Sequence, residues 1–329
     1  MINRITDLLG VGYPIFQGPM TWVSDEKLTA AVSNTGCFGT LSTGNMPPET
    51  LRELIRNTRK LTDKPFGVNL ILLVPDFEKR LQVVMEEKPE VVTFGAGNPG
   101  KYIEPLKKLG ITVIPVVPSV ALALRAERAG ADALIAEGQE AGGHIGNTAT
   151  LPMIPQIVDA VNIPVIAAGG IADGRGIAAA FALGAEGAQL GTRFIVADEC
   201  WAHDNYKNAV INANDRATAV TGMAIKAPVR ALRNRLTKEF YELEFKGASR
   251  DEVESLAVGK LREAVTEGNV ESGSVMMGQC AGIVNKRQTV KEIVDELITQ
   301  TDEVFRKMGM LSFSNGLLAY SVKKQEEYA

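Results

Sequence analysis

Histidine is the scarcest chemistry in this chain, with only His144 and His203 among 329 residues. Any imidazole that works near neutral pH must be one of these. Cysteine is hardly commoner: Cys37, Cys200 and Cys280 are far apart, odd in number and without C-x-x-C spacing. They suggest neither a disulfide framework nor a zinc site, and they fit a reducing compartment. Long apolar runs are missing. The stretch Ile111–Leu124 is broken by Pro115 and Pro118 and is too short to span a bilayer. The start, M-I-N-R-I-T-D-L-L-G, lacks the apolar region of a secretory leader. A net charge of −4 gives no reason to expect non-specific nucleic-acid binding. No Walker A or G-x-G-x-x-G motif stands in its strand-to-helix setting, and no repeat or low-complexity segment is visible. A cytoplasmic protein is expected, with no membrane and no nucleic-acid partner.

What is present is alternation. Short apolar runs bounded by turn residues read as buried strands at Pro14–Gln17, Phe38–Leu41, Phe66–Leu72, Val91–Phe94, Thr112–Val117, Ala133–Ala136, Pro164–Ala168 and Gly187–Leu190. Amphipathic segments lie between them: Asp25–Asn34, Pro48–Leu61, Asp76–Glu87, Lys101–Leu109, Val120–Ala129, Pro152–Val161 and Gly174–Leu183. Several begin at Pro, Ser or Asp and end at glycine (Gly110, Gly130, Gly184), as helices do. Eight strands in β–α alternation predict a parallel (β/α)8 TIM barrel over residues 1–198, with an open doubly wound sheet as the competitor.

The alternation stops after Phe194. Residues 199–311 read as a helical extension (Trp201–Asn214, Val229–Phe245, Arg250–Thr266, Thr289–Met308) that covers the barrel mouth and shares its core. Residues 312–329 lose periodicity and read as a loose tail.

Polar and glycine residues collect after the strands, on the face where this fold keeps its chemistry. The most concentrated stretch is D-A-L-I-A-E-G-Q-E-A-G-G-H-I-G-N-T, Asp132–Thr148. It sets Glu137 at a strand end and His144 inside a loop of Gly138, Gly142, Gly143 and Gly146. Glycines there let backbone approach a ligand closely. A reactive histidine and one merely hydrogen-bonded in a turn fit this local pattern equally. At the last two strands, Gly169, Gly170, Gly191 and Thr192 read as a phosphate cradle of backbone N–H groups, with tight turn geometry as the plainer reading.

The segments I-F-Q-G-P-M, D-K-P-F-G-V-N, T-F-G-A-G-N-P, I-A-E-G-Q-E-A-G-G-H-I-G, I-P-V-I-A-A-G-G-I-A-D-G-R-G, G-T-R-F and G-S-V-M-M-G-Q occur in order from about Ile5 to about Lys307. Together they resemble the FMN-dependent family of nitronate monooxygenases and FabK-type enoyl-acyl-carrier-protein reductases. The length, E-G-Q-E-A-G-G-H-I-G and P-V-R-A-L-R-N-R-L-T-K-E-F resemble the FabK branch. The resemblance implies an FMN site. Met20, Gly44, Asn45 and Asn69 would lie beside the ring system, Glu137 and Gly142 along the ribityl chain or ring edge, and Gly169, Gly170, Gln189, Gly191 and Thr192 at the phosphate. It also implies that His144 is catalytic and that the loop Gly273–Gln279 closes over the flavin. The activity implied is NAD(P)H-dependent reduction of enoyl thioesters in fatty-acid synthesis; nitronate oxidation with oxygen is the alternative. A non-catalytic flavin- or phosphate-binding barrel is the reading from another class. NADH against NADPH, a monovalent cation and a homodimer are left open.

His203, past the last strand, reads as structural. The run Lys226–Lys238 is basic without an acidic residue. Such runs are usually solvated helix faces; beside the resemblance, Arg230, Arg233, Arg235 and Lys238 form a candidate dock for an acidic acyl carrier protein.

Overall fold

The computed structural model describes residues 3–44 and 46–309, and beyond them the backbone of two short paired strands, Phe313–Ser314 and Leu317–Leu318. The tail expected at 312–329 lies almost wholly outside the described residues. The first nine strands are β1 (Ile15–Gln17), β2 (Gly39–Ser42), β3 (Phe66–Ile71), β4 (Val91–Gly95), β5 (Thr112–Val117), β6 (Leu134–Glu137), β7 (Gly143–His144), β8 (Val165–Ala168) and β9 (Gly187–Leu190). All but β7 join one parallel sheet in the order β1-β9-β8-β6-β5-β4-β3-β2. Phe16 bridges Phe38 in parallel, with Gln17 N donating to Phe38 O and Phe38 N to Ile15 O at 2.9 Å. The sheet therefore curls nearly closed into the expected (β/α)8 barrel, its strands buried on both faces as crossover helices require.

The barrel has two apolar compartments. Outside the strands, residues such as Leu28, Ile55, Ile103, Ile154 and Ile177 pack the helices onto the sheet. Inside, Phe16, Phe38, Val91, Ile114, Ile135 and Ile166 form a separate cluster with Ile5 and Leu9. Those two belong to a helix, Arg4–Leu9, that plugs the barrel below its first strand. Asn3 accepts the backbone N–H of Ile5 and Thr6 at its start, and Gly10, at φ 65°, ends it in the left-handed region.

Three expectations for the later chain are corrected. Val229–Phe245 is not one helix. Val229–Leu232 is a strand, β11, antiparallel to β10 (Thr218–Thr221), and the helix begins only at Arg235, capped by Asn234. The V-R-A-L alternation after Pro228 fits a strand better than a helix interior. Arg250–Thr266 is two helices, Arg250–Ala257 and Lys260–Glu267, divided where Gly259 takes φ 78°. The last helix, Val290–Gly309, does not belong to the cover. It packs between the helices Gly174–Ala182 and Glu26–Asn34, completing the outer ring. It comes so near that a Cβ on Gly174 would stand 2.4 Å from Gln300 Cβ. The cover is thus inserted between β9 and the barrel's last helix. No helix among the described residues is long and apolar enough to cross a membrane.

Candidate active site

The strand ends are knitted into one rim by their own side chains. Gln17, fully buried at the end of β1, accepts Thr40 N at 3.1 Å and donates to Ser24 Oγ at 2.8 Å, while Ser24 Oγ accepts Met20 N at 2.9 Å. The loop after β1 is folded back by these bonds. It carries Met20 to the end of β9, where a Cβ on Gly191 would lie 3.7 Å from Met20 Sδ, and a Cβ on Gly18 would lie 3.2 Å from Gln189 Cγ. Gly44, at φ 45°, lets the loop after β2 approach the same segment; a Cβ there would meet Thr21 Cγ2 at 2.6 Å. Asn45 lies outside the described residues. Asn69, buried on β3, accepts Thr93 Oγ1 at its side-chain Oδ1 and Thr43 Oγ1 at its backbone oxygen, both at 2.9 Å. Its amide is thereby oriented, and its Nδ2 has no acceptor among the described residues.

Glu137 ends β6 opposite Ala168. Its carboxylate has no hydrogen-bond donor among the described residues, and burial pushes its pKa up to about 7. Next to it Gly138 N donates to Ala168 O. Gly169, at φ 96°, sits so close to Gly138 that a Cβ would be 2.9 Å from Gly138 O. Glu140 caps the following helix, Thr150–Val158, accepting Thr150 N at 2.9 Å and Thr150 Oγ1 at 2.9 Å. Gly170, at φ 75°, faces the Glu140 side chain.

The backbone N–H groups of Gly170, Gly191 and Thr192 donate to nothing among the described residues. Buried Gln189 Oε1 is an acceptor without a partner. A buried acceptor left alone is costly, so this cluster is built for a ligand with both donor and anionic faces. Thr192 has a second role that its sequence did not suggest: its Oγ1 accepts Gly278 N at 2.9 Å. Gln279 N donates to Glu140 O, Leu232 N to Val275 O, and the buried Tyr206 hydroxyl to Met276 O. The segment Gly273–Gln279 is thus clamped between barrel and cover. A Cβ on Gly142 would fall 2.6 Å from Met277 C. Gly142→Ala is therefore expected to push this segment off the rim and cost about 1–3 kcal/mol. Limited proteolysis should show new cleavage within 273–279; an unchanged digest and melting curve would refute the close approach.

His144 is on a strand, not in a free loop. It forms β7 with Gly143, paired antiparallel to β11 with His144 opposite Val229 and Gly143 opposite Arg230. The pairing reaches from the barrel into the cover, which no local pattern reveals. The imidazole keeps an exposed edge, yet the surrounding protein lowers its pKa below the ordinary value by desolvation. It has no side-chain partner among the described residues. A Cβ on neighbouring Gly143 would be 3.4 Å from Met276 Sδ, so the strand abuts the clamped segment. His203 caps the helix Asp204–Ile211, its Nδ1 accepting Asn205 N at 3.1 Å.

Rim contacts thus link Met20, Gly44, Gln189, Gly191 and Thr192, then pass through Gly278 to Gly142, and Glu140 joins Gly169 and Gly170. The candidate carrier-protein dock is corrected at one position. Arg230 is buried, 6% exposed, while Arg233, Arg235 and Lys238 are exposed. Among the described residues no group of three His, Cys, Asp or Glu side chains is gathered as a metal site.

A family model described as nitronate monooxygenase matches residues 3–79 and 71–300. The chain belongs to the nitronate monooxygenase family. It is similar to FabK from Thermotoga maritima, whose structure superposes with a TM-score of 0.92 at 48% identity, covering 94% of this chain and 99% of that one. A probable nitronate monooxygenase of Staphylococcus saprophyticus is 32% identical over 93% of this chain and 99% of its own. An octahydro-indene carboxyl-CoA dehydrogenase of Rhodococcus jostii is 32% identical over 94% of this chain and 98% of its own. As a member of this family the chain is an enzyme, a flavin-dependent oxidoreductase.

Proposed function

We propose that this family member binds FMN at the rim and reduces trans-2-enoyl thioesters with NADH or NADPH. The observation that carries the reading is the pairing of unmet polar groups at the mouth with 48% identity to FabK along nearly the whole chain. The lone acceptor Gln189 Oε1, the amide of Asn69 and the free N–H groups of Gly170, Gly191 and Thr192 suit a group with an imide-like donor edge and a phosphate. A thioester substrate also agrees with the carboxyl-CoA named for the Rhodococcus relative.

FMN, when bound, supplies the passage of a hydride from the nicotinamide to the substrate β-carbon, the α-carbon taking a proton. The chain's residues bind and orient. Met20 and Asn69 would flank the ring system, with Glu137 and Gly142 along its edge and side arm; Gly169, Gly170, Gly191 and Thr192 would hold the phosphate. His144, with its lowered pKa, is neutral at pH 7. It therefore serves as a neutral N–H donor to the thioester carbonyl oxygen, drawing electron density away from the β-carbon. The segment Gly273–Gln279 excludes water from the mouth.

Nitronate oxidation is the second reading, favoured by the family match and by the Staphylococcus relative. A neutral imidazole suits it too. The two separate cleanly in sealed cuvettes. Thioester-dependent oxidation of NAD(P)H without oxygen supports the reductase. Oxygen uptake that needs only a nitronate replaces it with the oxidase.

An acyl carrier protein is the proposed physiological donor of the thioester, docking on exposed Arg233, Arg235 and Lys238. Arg235 already pairs with Glu239 at 2.8 Å, so Arg233 and Lys238 are the freer charges. Reversing charge with Arg233→Glu and Lys238→Glu is expected to raise KM for the carrier-bound substrate about tenfold, with little change for the CoA thioester, and to weaken the salt dependence. Equal effects on both substrates would remove the dock.

A further inference from the structure

Arg230 stands out because it is a buried cation without a counter-ion. It is 6% exposed, and no carboxylate among the described residues comes within ion-pair distance. Burial lowers its pKa, with the charge of Glu140 the chief opposing influence. A lone buried charge survives only when its donors are well used. Arg230 Nε donates to Gln139 O and Nη1 to Thr218 Oγ1, both at 3.1 Å. One bond grips the glycine loop of the barrel, the other the cover strand β10.

The register shows what lies between. Arg230 is opposite Gly143 on one side and Val220 on the other, and His144 is opposite Val229. Side chains alternate along strands, so Arg230 projects from one face of this three-stranded sheet and His144 from the other. The loop that delivers His144 holds Gly138, Gly142, Gly143 and Gly146, and such a loop has little stiffness of its own. Its other ties are Gln139 N donating to Thr148 O, Gln279 N to Glu140 O and Thr150 N to the Glu140 carboxylate, and, just past the imidazole, Ile145 N to Pro228 O.

We infer that Arg230 is a positioning residue: from behind the sheet it locks the Gln139 peptide to the cover, fixing the plane from which His144 enters the mouth. A side chain with a single donor would not do this, because the lock needs a forked donor that reaches Gln139 O and Thr218 Oγ1 at once. Arginine offers that fork and lysine does not. The inference rests on the reading of His144 as the group that meets substrate, but not on which reaction it serves.

The test uses the flavin-loaded enzyme carrying Arg230→Gln and, beside it, Arg230→Lys. With two histidines in the chain, the imidazole C–H signals of His144 and His203 are resolved and assigned by His203→Gln. Arg230→Gln is expected to keep its flavin, lower kcat by about 10- to 100-fold with KM changed less than threefold, and broaden the His144 signal while raising its titration midpoint toward the ordinary value. The His203 signal should not move. Arg230→Lys is expected to restore part of the stability but not the sharp His144 signal. If Arg230→Gln does not fold, Arg230→Lys is judged by the same two readouts. A folded variant with an unchanged His144 signal and kcat within twofold of the parent would overturn the assignment. A displaced His144 signal in an enzyme that reduces no thioester would leave the positioning role standing and sink the reductase instead.

Discussion

Replacing His144 with alanine is expected to lower kcat on the enoyl thioester by about 10²- to 10⁴-fold, the usual worth of one positioned proton-bearing group. Flavin content and melting temperature should barely change. The side chain forms no hydrogen bond among the described residues, and β7 is held by backbone pairing to β11 that alanine preserves. The loss should fall on kcat more than on KM, since polarising the carbonyl matters most as charge develops on it. His144→Gln, which keeps an N–H donor, should recover part of the loss. Lowering the pH should not help the parent enzyme. Desolvation holds the imidazole pKa below its ordinary value, so protonation comes only in more acidic solution and exchanges a neutral donor for a partly desolvated cation. A His144→Ala variant with full turnover would place the chemistry elsewhere on the rim.

Glu137→Gln is expected to stabilise the flavin-free protein at pH 8 and to leave it unchanged at pH 4. The sign follows from the two states. Burial raises the Glu137 pKa from the ordinary 4.5 to about 7 in the folded chain. At pH 4 the carboxyl is largely protonated both folded and unfolded, so the penalty is small. Between these values the unfolded chain has released the proton and the folded chain still holds it, so stability falls as pH rises. Above about 7 the whole cost is present, at most about 3 kcal/mol. Glutamine never ionises and never incurs it. A rise in Tm of several degrees at pH 8, shrinking to nothing at pH 4, is the expected result from paired thermal scans. A stabilisation of the same size at both pH values would mean that packing, not ionisation, sets the effect.

The barrel was legible because its two signals are local. Each strand is a short apolar run, and several crossover helices stop at a glycine in the left-handed region, such as Gly110, Gly130 or Gly184. The rim was legible for a related reason: glycine and amide residues stand where strands end, and the fold puts all strand ends on one face. The features that no local pattern carries depend on distant pairing. The strand at Val229–Leu232 acquires its character from β10 and from Gly143–His144, which lie far away in sequence. Arg230 looked like a surface charge because a run of basic residues carries no sign of which one turns inward. The last helix read as part of the cover because only tertiary contact with Gly174–Ala182 returns it to the ring. The Arg4–Leu9 plug is a different case. Its Asn3 cap and Gly10 stop are plain in the sequence, but six residues fall below the length at which periodicity speaks.

The most direct measurement is anaerobic. The purified enzyme is mixed with NADH, NADPH or a nitronate in separate shots while the flavin's visible band is followed, and an enoyl thioester is then added. Rapid bleaching by a reduced nicotinamide, reversed by the enoyl thioester with one saturated acyl thioester formed per flavin, is the expected result. Bleaching by the nitronate alone, with no response to either nicotinamide, would contradict the proposed function and place the chain among the oxidases of its family.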